Sequence, residues 1–390
     1  IQDWGTGAGT TNPVASSRDG GRTWRRGVIT GLSQCTGGAA SGTSDPSISI
    51  GGGHGVFQSS LANYPTCCND VVASHSPNGG RAWGPARVVE NAHVPGNGTD
   101  DFDSVVADPT ATGRADLVWA STLTGSRPGV RFARTLDGGA TWSAPRPVYP
   151  QPSGQFDDLA HVGVVQGGLL VVFGDVALSS FGLPQIPQRL LAVRSDDGGQ
   201  TWSAPVPVAT QALSSITDPA TGHVLADRCC VASLGVGRDG SSYVAWSESA
   251  GPHDGTVHLV HSADSGRTWG APVVLARVPA PALLASVAVG ADGPVGVSWY
   301  DLRRTRPGAL ALGTDVWFAA SSDRGQGWRT THVAGSFDLR AAAVTGAGVL
   351  GDFEGLVALP DGFGAAFAIA DSTTPNGPTS IEYAHIRLTR

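Results

Sequence analysis

Ser195-Asp-Asp197-Gly-Gly-Gln-Thr-Trp202 decides the fold of this chain, because it recurs. Three copies precede it: Ser17-Arg-Asp19-Gly-Gly-Arg-Thr-Trp24, Ser76-Pro-Asn78-Gly-Gly-Arg-Ala-Trp83 and Thr135-Leu-Asp137-Gly-Gly-Ala-Thr-Trp142. Two follow: Ser262-Ala-Asp264-Ser-Gly-Arg-Thr-Trp269 and Ser321-Ser-Asp323-Arg-Gly-Gln-Gly-Trp328. Counted from Asp to Asp, with Asn78 in the second copy, the spacings are 59, 59, 60, 67 and 59 residues. So regular a period denotes one supersecondary unit repeated around an axis.

Each copy lies between apolar runs, such as Val130-Arg-Phe132-Ala-Arg134 before the third and Pro145-Arg-Pro-Val-Tyr149 after it. Two strands joined by a tight turn have that appearance. The Asp hydrogen-bonds backbone amides a few residues on, and Gly supplies positive φ without steric cost. The Ser or Thr adds a second local hydrogen bond. The closing Trp buries a flat surface while its N–H keeps a polar contact. The motif is thus a staple of the fold and carries no chemistry. Two further strands precede each hairpin, as Ser104–Ala107 with Ala115–Trp119 and Ala285–Val289 with Val295–Trp299 show. Four short strands per unit predict an all-β propeller of four-stranded antiparallel blades. No segment has a sustained helical period.

Ser/Thr-x-Asp-x-Gly-x-Thr-Trp between the last two strands of a blade resembles the Asp-box of the sialidase superfamily. Four copies match in full; the second has Asn78 and Ala82, and the sixth has Gly327 in place of Thr. The resemblance covers nearly the whole chain. It implies one β-propeller domain over residues 1–390, closed by its terminal strands. Six boxes give at least six blades. A last unit near Leu356–Leu359, Phe363–Ile369 and Ile381–Leu388 has no box. Six blades leave surplus strand and seven lack an inner strand at the N-terminus; seven is the preferred reading.

A net charge of −7 and the absence of a basic run argue against a nucleic-acid partner. No apolar stretch is long enough to span a membrane as a helix. The chain has no Met and no Lys, so all 25 basic residues are Arg. Arg is the better clamp for a carboxylate, being planar and bidentate. Cys35, Cys67, Cys68, Cys229 and Cys230 all fall on one face of a propeller, and disulfides among them suit a secreted protein. Adjacent Cys pairs lack the usual zinc spacing, so metal ranks behind bridging or buried thiols. Asn97-Gly-Thr99 fits a glycosylation acceptor but such triplets are common by chance.

Function is expected on the face opposite the boxes, where loops sit on a rigid scaffold. The loops leading into the innermost strands carry Asp45, Asp100, Asp101, Asp103, Asp157, Asp158, Asp227 and Asp352, with Glu354 just after. Each either caps a turn or, as part of a ring, supplies a general acid or oxygen ligands for a cation such as calcium. No cofactor is otherwise expected. The exits of the second strands carry Glu248 and the run Trp299-Tyr300-Asp301-Leu-Arg303-Arg304-Thr-Arg306. Glu248 and Tyr300 are expected to face one another across the rim.

The resemblance implies a Tyr nucleophile with a Glu, an Asp acid/base and three Arg that clamp a substrate carboxylate. The candidates are Tyr300, Glu248, Asp45, Asp103 and Asp301 for catalysis, and Arg127, Arg228, Arg303, Arg304, Arg306, Arg340 and His161 for binding; His161 and His93 are alternative bases. The Arg-Ile-Pro signature that precedes the first box in sialidases is missing, and Tyr300 precedes Arg303 where a sialidase Tyr follows its clamp. Asp301 paired with Arg303 as a structural rim is therefore an equal reading. Three functions follow: a secreted exo-acting glycoside hydrolase on an acidic glycan, a non-catalytic glycan- or protein-binding propeller, or a polysaccharide lyase on the same scaffold.

Overall fold

Where the boxes predict turns, the computed structural model has them, and each carboxylate works as expected. In the first box Ser17 Oγ donates to Asp19 Oδ1 at 2.9 Å, the Thr23 amide to the same oxygen at 2.9 Å, and Thr23 Oγ1 to Asp19 Oδ2 at 2.6 Å. The set recurs at Asp137, Asp197 and Asp264, with a Thr amide at 2.9, 2.9 and 2.8 Å. Side-chain and backbone hydrogen bonds from the Thr hold the Asp19 carboxyl at about 2. The closing Trp differs from expectation. Trp24 and Trp328 donate Nε1–H to the carbonyls of Gly21 and Gly325, but Nε1 of Trp83, Trp142, Trp202 and Trp269 is buried without a hydrogen bond. These four act through apolar packing alone.

The structure describes residues 9–64, 67–93, 99–121, 128–178, 187–212, 216–218, 224–226, 232–305, 312–342, 350–351, 354–371 and 379–388. They contain no α-helix, only three short 3₁₀ turns. Five sheets have four antiparallel strands in sequence order. The first comprises Gly42–Ile50, Val56–Tyr64, Cys68–Ser76 and Arg87–Glu90. The second comprises Asp100–Ala107, Ala115–Ser121, Gly129–Thr135 and Arg146–Pro147. Gln155–Val165, Gly168–Ala177, Gln188–Ser195 and Val206–Gln211 form the third. Ser233–Val236, Ser242–Gly251, Asp254–Ser262 and Val273–Val278 form the fourth. Ala282–Val289, Val295–Asp301, Gly313–Ser321 and Arg329–Asp338 form the fifth. A three-stranded sheet (Gly355–Leu359, Gly362–Ala370, Thr379–Arg387) and two two-stranded pairs complete the set.

Two compact units divide the chain: Ile1–Gln185 with Arg189–Pro207, and Ile186–Gln188 with Val208–Arg390. Within each, neighbouring sheets pack face to face. Side chains alternate across a strand, so one strand serves two interfaces. Leu117 and Trp119 join Phe57 and Leu61 of the first sheet, whereas Val118 joins Val171 and Phe173 of the third. In the second unit Trp299 packs toward Tyr243 of the fourth sheet and Tyr300 toward Phe367 of the three-stranded sheet.

The first strands of neighbouring sheets are tied laterally by hydroxyls. Ser47 and Ser49 accept from the amides of Val105 and Ala107 at 3.1 and 3.0 Å, and Ser233 accepts from Val287 at 3.1 Å. Edge amides that no ladder uses thus find partners. The same strands share an irregularity. Their registers slip between Ser44 and Ser47, Asp101 and Ser104, Asp158 and His161, and Leu283 and Ser286. Each slip holds one non-glycine residue at positive φ: Asp45 (50°), Phe102 (45°), Leu159 (59°) and Leu284 (54°). These are β-bulges that re-aim the lead-in of the strand.

Candidate functional site

The run Trp299–Arg304 ends the second strand of the fifth sheet and builds a charged rim in the second unit. Asp301 is fully buried. Its carboxylate accepts Trp299 Nε1–H at 3.0 Å and both Nε and Nη2 of Arg303, the latter at 2.6 Å. Directly opposite on the ladder is Asp315, also fully buried. Asp315 contacts His332 Nε2 at 2.6 Å, accepts from Ser336 Oγ at 2.8 Å, and lies 3.7 Å from Arg304 Nε. A Cβ at Gly335, where φ is 110°, would stand 2.9 Å from Asp315 Oδ1, so only glycine lets this strand approach the carboxylate. The guanidinium of Arg303 stacks 4.0 Å from the Trp317 ring and that of Arg304 lies 5.8 Å from it. The result is layered. Two carboxylates lie beneath, with an indole above them. Two guanidinium groups reach outward, their side chains 28% and 51% exposed.

Tyr300 does not face Glu248. Trp246 and Trp299 are the equivalent residues, each donating its indole N–H to the acid two residues on, Glu248 or Asp301. Glu248 therefore matches Asp301, and Tyr300 matches Ser247 on the other face of the strand. Glu248 also accepts the Ala212 amide at 3.0 Å and lies 3.6 Å from His258 Nε2. Tyr300 is 1% exposed, and its hydroxyl lies 2.6 Å from Glu354 Oε1 and 2.8 Å from the Ala368 carbonyl. Burial and the neighbouring acid drive the phenol well above its ordinary value of 10, and burial drives the Glu354 carboxyl up to about 8. A cavity lined by Leu284, Tyr300, Glu354 and Phe367 has room for the centre of about one water, roughly 10 Å³. A closed, fully desolvated phenol with a raised pKa is the reverse of an activated nucleophile.

The remaining expected residues are held apart. Arg340 makes two hydrogen bonds to Asp218, at 2.6 and 2.7 Å. Arg303, Arg304 and Arg340 thus each have a carboxylate of this chain, and no three-arginine clamp forms among the described residues. Arg127, Arg228, Arg306, Asp227, Asp352, Cys229, Cys230 and Asn97 lie outside the described residues, as does the side chain of Asp158. Cys67 and Cys68 form a disulfide and Cys35 is free. His161 is partly buried, and desolvation pulls its pKa to about 4, which leaves it a weak base.

The acids of the first unit are buried carboxyls. Asp103 is fully desolvated and rises to about 8, offset only in part by the Ser59 hydroxyl beside it. Asp100 rises to about 7 through burial and the charge of Glu90, with Ser121 and Arg131 opposing. Asp157 stands opposite Asp175 across the ladder; burial first, and that like charge second, raise it to about 8. Asp45 is the residue at positive φ in its bulge. No three His, Cys, Asp or Glu side chains gather as a metal site among the described residues. Two His side chains held by fully buried Asp residues were not expected: Asp70–His93 and Asp315–His332. Both Asp residues stand six positions ahead of a box Ser, at Ser76 and Ser321, so the repeat used as a ruler would have marked them.

The BNR/Asp-box repeat family model matches residues 193–204. No curated protein matches the chain. Among solved structures, a sialidase from the Hadza microbiome is 15% identical, with a TM-score of 0.55 over 88% of this chain and 66% of that one. By repeat and by fold, the chain is sialidase-like. The leech intramolecular trans-sialidase is similar at 13% identity and a TM-score of 0.55, with 88% and 68% covered. The intramolecular trans-sialidase of Ruminococcus gnavus matches at 13% identity and a TM-score of 0.54, with 90% of this sialidase-like chain and 96% of that one covered. The chain spans about two thirds of the length of the first two.

Proposed function

We propose that this chain is a secreted, seven-bladed sialidase-like propeller whose role is the recognition of acidic glycans. The observation that carries the reading is the Arg303–Arg304 rim. Buried Asp301 and Asp315 hold two guanidinium groups against Trp317 and leave their outer edges to solvent. A planar cation pre-positioned in this way suits a carboxylate or sulfate of a sugar. Arg304, whose ion pair with Asp315 is long at 3.7 Å and whose side chain is 51% exposed, is the freer of the two to engage a ligand. Seven blades correspond to the five four-stranded sheets, the three-stranded sheet and the pair Val14–Ser16 with Arg25–Gly27. Recognition is favoured over sialidase-type hydrolysis because Tyr300 is closed from solvent and bonded to Glu354.

Hydrolysis is the second reading. It rests on Asp100, whose carboxyl at about 7 holds its proton near neutral pH as a general acid must, but which, 1% exposed, has to open to meet a substrate. Calorimetric titration with sialyllactose and with glucuronate oligosaccharides tests the first. Binding should fall at least tenfold in Arg304→Ala with no change in melting temperature; equal binding by the variant refutes the rim. Release of sialic acid from a fluorogenic sialoside, lost in Asp100→Asn, would establish the second.

A further inference from the structure

A second exposed side chain aimed by a buried charge lies in the first unit. Asp70 is fully buried. It accepts the amides of Ala92 and His93 at 2.7 and 3.0 Å and holds His93 Nδ1 at 2.7 Å. A carboxylate only accepts, so Nδ1 carries a proton, and in the imidazole form the lone pair is on Nε2. The His93 side chain is 41% exposed. Its ring meets the half-buried Tyr64 ring at 4.8 Å between centroids, tilted by 39°.

Backbone and side-chain contacts order the segments that carry the two rings. The disulfide between Cys67 and Cys68 closes the turn that follows Tyr64, and the Cys67 amide donates to the Tyr64 carbonyl. The Asn69 amide donates to Thr99 Oγ1 at 2.9 Å, and Asn63 Nδ2 donates to Asn69 Oδ1 at 2.9 Å. Tyr64 and Cys68 end the hairpin far from Ser76, so the group lies at the strand ends away from the box. Behind it lie buried Asp70, Asp100, whose carboxyl is raised to about 7, and Glu90, paired with Arg131 at 3.1 Å. Burial first, then the charge of Asp70 and a hydrogen bond to it, raise the Tyr64 phenol, which keeps its proton and directs it to Asp70. An aromatic wall with one oriented imidazole edge and nearby amides is the lining of a small-molecule site. The buried Asp70 carboxylate disfavours an anion beside the two rings.

We propose that Tyr64 and His93 form a subsite for an uncharged sugar ring, which packs its C–H face on Tyr64 and donates a hydroxyl to His93 Nε2. It is independent of the Arg303–Arg304 rim, whose ligand is anionic. Ligand-observed NMR and calorimetry on the full chain, with lactose and cellobiose as neutral probes and a glucuronate disaccharide as the charged one, test it. Neutral probes should bind and the charged one should bind at least tenfold more weakly to an Arg304→Ala background, which removes the other site. Tyr64→Ala and His93→Ala should each weaken lactose about tenfold, and His93→Gln, which restores an acceptor, should recover part of that loss. Asp70 acts as a positioning residue: Asp70→Asn should weaken lactose binding while 1H NMR still finds the imidazole, its tautomer no longer fixed. Should Asp70→Asn fail to fold, the Tyr64 and His93 variants still decide. The proposal is overturned if no neutral sugar binds, if both variants bind as wild type does, or if the glucuronate disaccharide binds the Arg304→Ala background as tightly as lactose.

Discussion

Replacing Glu354 with glutamine should remove much of the pH dependence of the second unit's stability. One hydroxyl proton on Tyr300 cannot serve both Glu354 Oε1 at 2.6 Å and the Ala368 carbonyl at 2.8 Å. A protonated Glu354 supplies the second, donating to Tyr300 Oη while Tyr300 donates to Ala368. Burial supports this state by raising the carboxyl from 4.5 to about 8. The folded protein then holds a proton that the unfolded chain has released across that interval, so stability is greatest below the lower value and falls as pH rises through the upper one. At about 1.4 kcal/mol per pKa unit, the shift bounds the effect at roughly 5 kcal/mol. Relaxation of the surroundings brings the expected loss between about pH 5.5 and 8.5 to on the order of 2 kcal/mol. Gln keeps both hydrogen bonds, since its amide donates where the acid did, and cannot ionise. Denaturant midpoints of wild type and Glu354→Gln at several pH values provide the measure. Asp100, Asp103 and Asp157 slope the same way in both proteins and cancel in the difference. Identical pH slopes for the two proteins would refute the protonated clasp.

Two more outcomes follow from packing. Arg131→Ala strips Glu90 of its buried ion-pair partner and should cost about 3 kcal/mol in unfolding free energy; a loss below about 0.5 kcal/mol would show the pair to be solvated. Gly296→Ala would bring a methyl group to 2.8 Å from Phe318 and Phe363, and should lower stability by about 1–3 kcal/mol, read as a fall in melting temperature.

The repeat made the sheets legible, because turn chemistry is local: a carboxylate, two glycine positions and a Thr lie within six residues and specify one hairpin. Position along a strand was harder. Glu248 and Tyr300 were matched by counting from the boxes, and an error of one residue moves a side chain to the opposite face of a strand. The indole-to-acid contacts, Trp246 to Glu248 and Trp299 to Asp301, set the correct alignment. The partnership of Tyr300 with Glu354 spans 54 residues and two sheets, and no spacing announces it. The Arg303–Asp301 pair was legible as a rim, since the two residues lie two apart at a strand exit. Asp70 and Asp315 were missed because neither sits in a lead-in loop.

The left-handed residue in the innermost strands has a consequence for how such a protein can change. By inserting one position, Asp45, Phe102, Leu159 or Leu284 divides its strand into two reading frames. Beyond the bulge, alternation is locked to the interior by apolar neighbours such as Val105 and Val162. Before it, alternation starts afresh, and the side chains of the lead-in need not obey the pattern that packing imposes further along. Substitutions in the lead-in of each strand are thereby decoupled from the packing further along it.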